Sequence, residues 1–93
     1  MDLLIIVHIK SSYEAWKTIF DSNHATREEF SDESRTRVAK ADDNTAMVQL
    51  FDVDIQKMSN VLNNPNSTVA EAMADHVVSR ELYKVEKMTP PGA

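Results

Sequence analysis

Histidine, the residue most often used as a metal ligand or general base, occurs three times in this sequence, at His8, His24 and His76. The three are far apart, and no zinc-type spacing such as His-Glu-x-x-His is present. No cysteine is available to complete a metal site. His76, near Met73 and Val77, could serve as an axial haem ligand, or it is a partly buried histidine at a helix end. We therefore predict no metal and no cofactor.

Two polar residues lie within predicted strands that are otherwise apolar. Strand alternation places His8 on the same sheet face as Leu4 and Ile6. Three interpretations of His8 remain open. It lies in a pocket between the sheet and the helices, it lies at the interface between two subunits, or it simply forms a hydrogen bond at the end of the strand. Gln49 follows Met47 and Val48, and a buried amide needs a hydrogen-bond partner. Gln49 therefore marks either a pocket or a subunit interface.

Three larger side chains complete the candidates. Arg35 and Arg37 are expected on one face of a strand, about 7 Å apart, where they could grip a carboxylate or phosphate or pair with some of the fifteen acidic residues. Trp16, the single tryptophan, either stacks on an aromatic ligand or is the largest core side chain. His24 and Arg27 fall in a polar stretch that we expect to be a solvated loop. The candidate pocket or ligand contacts are His8, Trp16, Gln49, His76, Arg35 and Arg37, and no catalytic residue is assigned.

Composition excludes several classes of function. The single glycine, Gly92, follows Pro90 and Pro91 near the end of the chain. Neither the Gly-x-Ser-x-Gly hydrolase turn nor a glycine-rich phosphate loop is therefore possible. A net charge of −5 disfavours nucleic acid and anionic membranes as partners. No stretch approaches the ~20 apolar residues of a membrane span, and no signal peptide is recognisable, so we expect a cytoplasmic protein.

The opening strand, predicted from Asp2 to Ile9, contains the unbroken apolar run Leu3 to Val7. Neighbouring side chains of a strand point to opposite faces. A run without polar alternation therefore needs cover on both faces. A domain of 93 residues without disulfides commonly gains stability by oligomerising. We predict that helices cover one face and a second copy of the chain covers the other.

The remaining pattern predicts alternating strands and helices within one domain, residues 1–93, of which 89–93 form a flexible tail. A helix follows Ser11, which forms a capping box with Glu14. The later predictions are a short helix from Thr26 to Phe30, a hairpin of strands Ser34–Ala41 and Thr45–Val53, a helix capped by Asp52 or Asp54, a helix from Thr68, and a last strand Glu81–Met88. The order βαββαβ predicts an α+β, ferredoxin-like fold whose four-stranded antiparallel sheet has helices on one face. Right-handed crossovers place the first and third strands at the centre.

Several segments resemble the dimeric α+β barrel group of ferredoxin-like proteins. They are the strand Leu3–Ile9, the aromatic helix Tyr13–Phe20, the turn 42–44, the strand Ala46–Val53 and the segment Asn64–Met73. The chain is similar to short members from marine microbes and, more distantly, to cofactor-free antibiotic-biosynthesis monooxygenases. The resemblance implies a homodimer whose sheets pair face to face.

Two functional hypotheses remain open after these observations. One is a non-catalytic or small-ligand-binding homodimer, favoured because the motifs are packing motifs and specify fold better than function. The alternative, implied by the resemblance, is a cofactor-free monooxygenase-like enzyme acting on an apolar or aromatic small molecule. That alternative requires an enclosed apolar pocket with a few convergent polar groups.

Overall fold

A four-stranded antiparallel sheet forms the centre of the chain, and helices cover one of its faces. The computed structural model describes residues 1–63, 75–86, 88 and 90–92. In chain order the elements are β1 (Asp2–Ile9), α1 (Tyr13–Ser22), α2 (His24–Glu28), a 3-10 turn (Glu33–Arg35), β2 (Arg37–Asp42), β3 (Thr45–Leu50), α3 (Ile55–Leu62) and β4 (Val77–Val85). The strand order β2-β3-β1-β4 puts the first and third strands at the centre, as predicted.

The two faces of the sheet differ in burial along β1. The residues that face the helices are all buried, namely Leu3, Ile5, Val7 and Ile9. The residues of the opposite face are half-buried, namely Leu4, Ile6 and His8. We call the helix-covered side the inner face and the other the outer face. The predicted cover by helices is therefore confirmed, while the cover of the outer face by a second copy stays a prediction.

Aromatic side chains join the helices to the inner face. Trp16 and Phe20, four residues apart in α1, share one side of the helix and are both buried. Their ring centroids lie 5.0 Å apart, within the range of favourable aromatic pairs. Phe30, which follows α2, and Met58 of α3 belong to the same core. The helices are thus fixed on the sheet by a few large side chains from three segments.

Helix capping explains where α1 and α3 begin. The hydroxyl of Ser12 accepts the N–H of Ala15 at 3.2 Å, so the cap of α1 is Ser12 and the predicted Ser11 was wrong by one residue. Asp54 caps α3 by accepting the N–H of Lys57 at 3.1 Å, as one of the two predictions had it. Such contacts satisfy N–H groups that the first turn of a helix leaves unpaired.

Several predicted bounds differ from the observed ones for local reasons. β2 begins at Arg37 rather than Ser34, because the preceding residues form a 3-10 turn that Asp32 caps. β3 ends at Leu50, since Asp52 adopts a φ of 52°, a left-handed conformation that aspartate tolerates better than most residues. β4 begins at Val77 rather than Glu81 because it pairs with β1 along the whole length of that strand.

Two further expectations concern the helical segments. The helix predicted from Thr26 begins earlier, at His24, and ends at Glu28. The predicted helix from Thr68 lies outside the described residues. None of the helices in the described ranges has the length and apolar character needed to cross a membrane.

Candidate functional site

A cavity of about 80 Å³ lies between the inner face of the sheet and the helices. We call it the inner cavity. Its apolar walls are formed by three strands, β1, β3 and β4, by the helices, and by the loop after α2. The apolar lining residues are Ile5, Val7, Trp16, Phe20, Phe30, Val48, Leu50, Met58, Val61, Leu62 and Val77. Its polar lining consists of Asn23, Thr26, Arg27 and Arg80. Such a combination of apolar walls and few polar groups is typical of small-molecule sites.

The volume of the inner cavity limits what can enter it. A dry apolar cavity of roughly 150 Å³ accepts a benzene ring, and the inner cavity has about half of that volume. A single alkyl group therefore fits, whereas a ring needs the walls to move. Met58, an unbranched side chain in the wall, is the residue best suited to such movement, because methionine adapts readily to irregular space.

Trp16 forms part of the cavity wall and carries an unused donor. Its side chain is 1% exposed, and its Nε1–H has no hydrogen-bond partner among the described residues. An unsatisfied buried donor costs roughly 1–3 kcal/mol. Trp16 is thus the largest fully buried side chain of the core, as one of the two interpretations had it, and it also lines the cavity. Stacking on an aromatic ligand stays a prediction.

Arg27 also lines the inner cavity, and its buried charge is neutralised. Its Nε and Nη2 donate to the carboxylate of Glu33 at 2.8–3.1 Å, and its Nη1 donates to the carbonyl of Phe20. The guanidinium also lies 3.6 Å from the centroid of the Phe20 ring. The expectation of a solvated loop was therefore wrong for Arg27. The available signal was its position three residues before the apolar Phe30, within the helix predicted from Thr26 to Phe30.

Arg80 is the second arginine of the inner cavity, and sequence reasoning missed it. It pairs with Val7 in the β1–β4 ladder and therefore points to the inner face, where it lines the cavity. No carboxylate of the described residues lies within salt-bridge distance of Arg80. The signal was strand alternation, which could be applied only once β4 was known to begin at Val77.

A polar cluster lies on the outer face, where β1 and β4 meet. Nε2 of His8 lies 2.7 Å from Oε2 of Glu81, and the hydroxyl of Tyr83 donates to Oε1 of Glu81 at 2.8 Å. The contact with His8, followed by that with Tyr83, lowers the pKa of Glu81 below its ordinary value. The same carboxylate raises the pKa of Tyr83. Because this cluster is on the outer face, His8 lies on the side of the sheet away from the inner cavity.

Gln49 and Arg37 also lie on the outer face, but toward the β2 edge of the sheet and away from the polar cluster on β1 and β4. They are paired in the β2–β3 ladder and line a shallow groove together with Leu4 and Met47. Arg35 does not share their face. It belongs to the 3-10 turn and contacts the carboxylates of Asp32, at 2.9 Å, and Asp52. The predicted strand face carrying both Arg35 and Arg37 was therefore wrong.

His76 lies at a third location, just before β4. Its Nδ1 is 2.7 Å from the hydroxyl oxygen of Ser11, and its carbonyl accepts the N–H of Lys10 at 2.8 Å. These contacts join the start of β4 to the end of β1. The described part of the chain contains no group of three side chains arranged to hold a metal ion.

Of the six residues named from the sequence, the structure thus brings only Trp16 to the inner cavity. His8, Gln49 and Arg37 lie on the outer face.

Comparison with known proteins supports the fold. No protein-family model matches the chain, and a search of curated proteins finds no match. The structure is similar to that of SnoaB, a cofactor-independent oxygenase from Streptomyces nogalater, with a TM-score of 0.66 over 96% of this chain and 95% of that one. The two sequences are 11% identical, so the likeness is one of fold. The chain therefore has an α+β, ferredoxin-like fold, as predicted.

Proposed function

We propose that the protein is a homodimer that binds a small apolar molecule in the inner cavity without transforming it. The observation that carries the binding proposal is the apolar cavity between the sheet and the helices, with Trp16 in its wall. Transfer of an apolar group into such a space is favourable by roughly 0.8 kcal/mol for each CH₂ removed from water. Arg27 is already committed to Glu33 and Phe20, so orientation of a ligand falls to the other polar lining groups, Asn23, Thr26 and Arg80.

A titration with 1-chlorobutane tests the binding proposal. Trp16 is the single tryptophan and lines the cavity, so its fluorescence reports occupancy directly. We expect a saturable change that Val48→Ile weakens, because Val48 lines the same cavity. Val53→Ile is the matched control, since Val53 is equally buried but lies outside the cavity wall. A linear, unsaturable response in the unsubstituted protein contradicts the proposal.

The homodimer is proposed to form through the outer face. In a single chain this face leaves Met47, Tyr83 and Val85 between 37% and 50% exposed, beside half-buried Leu4 and Ile6. Contiguous exposed apolar side chains commonly mark an interaction site. Positive charge lies toward the β2 side, at Arg37, and a carboxylate lies in β4, at Glu81. A second copy rotated by a two-fold axis can therefore match apolar and charged groups to their complements.

Sedimentation equilibrium tests the dimer. We expect a species of twice the 10.5 kDa chain mass. Ile6→Lys, which places a charge at the centre of the outer face, should shift it toward monomer. Thr18→Lys makes a comparable charge change on an exposed helix position and should leave the dimer intact. A concentration-independent monomer in the unsubstituted protein would overturn this part of the proposal.

A second candidate function is a cofactor-free oxygenase acting on an apolar or aromatic molecule. The observation that favours it is the likeness of fold to SnoaB, itself a cofactor-independent oxygenase. The small volume of the inner cavity favours binding of an alkyl group over a polycyclic substrate. Oxygen uptake with a polycyclic phenol distinguishes the two functions: uptake that depends on the folded protein supports the oxygenase, and no uptake above background supports binding.

A further inference from the structure

The charges around the inner cavity differ in sign from those of the chain as a whole. The chain carries a net charge of −5, yet the charged residues of the described cavity lining are Arg27 and Arg80, both cationic. Glu33 neutralises Arg27 through three hydrogen bonds. Among the described residues, the positive charge left at the cavity therefore belongs to Arg80, an exposed residue on the inner face of β4.

Trp16, one of the residues that line the inner cavity, carries a second donor, independent of Arg80. The Nε1–H of Trp16 is buried and has no acceptor among the described residues. Buried polar groups in folded proteins are nearly always hydrogen-bonded, to the protein, to water or to a ligand. A ligand oxygen that accepts from this N–H would satisfy it.

Building on the proposed function, we infer that the ligand is a short, unbranched aliphatic carboxylate. The alkyl chain occupies the apolar part of the inner cavity, whose volume accepts a ring only if the walls move. The carboxylate forms a charge-assisted contact with the Arg80 guanidinium, the geometry that arginine offers to planar anions. A carboxylate oxygen also accepts from Trp16 Nε1–H, so that the apolar and polar parts of the ligand are both matched.

Three probes of similar length separate the contributions of the apolar chain, the carboxylate and the sign of the charge to binding. Butanoate carries the carboxylate, 1-chlorobutane lacks a strong acceptor, and butylammonium reverses the charge. The protein as purified is titrated with each probe at constant ionic strength, and binding is followed by two-dimensional ¹H–¹⁵N NMR. The single tryptophan gives one indole N–H signal, which moves downfield when the N–H donates a hydrogen bond.

We expect butanoate to bind at least tenfold more tightly than butylammonium and to move the indole proton downfield, while 1-chlorobutane binds without that movement. Arg80→Gln should weaken butanoate at least fivefold and leave 1-chlorobutane within twofold. Arg37→Gln removes the same charge on the outer face and should change neither affinity.

Each other outcome counts against a defined part of the account. If 1-chlorobutane binds as tightly as butanoate, if the indole proton stays in place, or if Arg37→Gln weakens butanoate as much as Arg80→Gln does, the carboxylate inference is wrong while apolar binding stands. If none of the three probes binds, the proposed function itself fails, and the inference fails with it.

Discussion

Adding one methylene group at Val48 tests whether the inner cavity exists as the structure shows it. Val48 is 3% exposed on the inner face of β3 and lines the cavity. Val48→Ile fills part of this cavity and should stabilise the protein by about 0.8 kcal/mol. A well-packed site would instead lose about 1–3 kcal/mol through overpacking, so the sign of the change is diagnostic.

The assay is urea unfolding followed by Trp16 fluorescence, at one fixed protein concentration because dimerisation would link stability to concentration. In a parallel thermal melt, about 0.8 kcal/mol corresponds for a chain of this size to a rise in Tm of about 3–6 °C. Val53→Ile is the control, because Val53 is 5% exposed and lies outside the cavity wall, so it should destabilise. If Val48→Ile lowers stability as much as Val53→Ile does, the space beside Val48 is filled and the reasoning is refuted.

Three further substitutions test the packing and electrostatics of the fold. Arg27→Met should cost about 3 kcal/mol in chemical unfolding, because it leaves the Glu33 carboxylate part-buried without its partner; adding Glu33→Met should recover most of this loss, and no recovery would refute the pairing argument. Glu81→Gln should lower stability above pH about 4.5, where ionised Glu81 gains from His8, and this difference should shrink as pH falls through the lowered pKa of Glu81; a difference that is constant with pH would exclude the linkage. Val7→Asp should abolish the fold, and with it the proposed dimer, since Val7 is 4% exposed and an isolated buried charge has no compensation; a native-like circular-dichroism melt would show that Val7 is misplaced.

The hydrophobic pattern, the order of the elements and the preference for right-handed crossovers together predicted the sheet topology. The run in β1 and the apolar centre of β3 indicated the two central strands, and the structure places them there. Periodicity failed to predict the bounds of an element where contacts between distant segments determine them. β4 begins four residues before the predicted Glu81 because its partner β1 continues to pair with it, a cause that lies outside the local sequence.

The candidate site was less predictable than the fold, because a cavity is defined by several segments at once. Trp16 could be named from its type alone, but the unused Nε1–H is visible only when its surroundings are known. Arg27 was assigned to solvent by its polar neighbours, whereas the ring of Phe20 and the carboxylate of Glu33 bury it. Arg80 could be assigned to the inner face only after the start of β4 was established.

A crystal structure of the protein under xenon pressure tests the central claim most directly. Xenon occupies dry apolar cavities without any need for a polar contact, so it tests the space itself and not the chemistry of a particular ligand. We predict one strong xenon peak between the inner face and the helices, in contact with Trp16, Val48 and Met58. Side-chain density that fills this space, with no xenon beside Trp16, would contradict a ligand-binding role for the inner cavity.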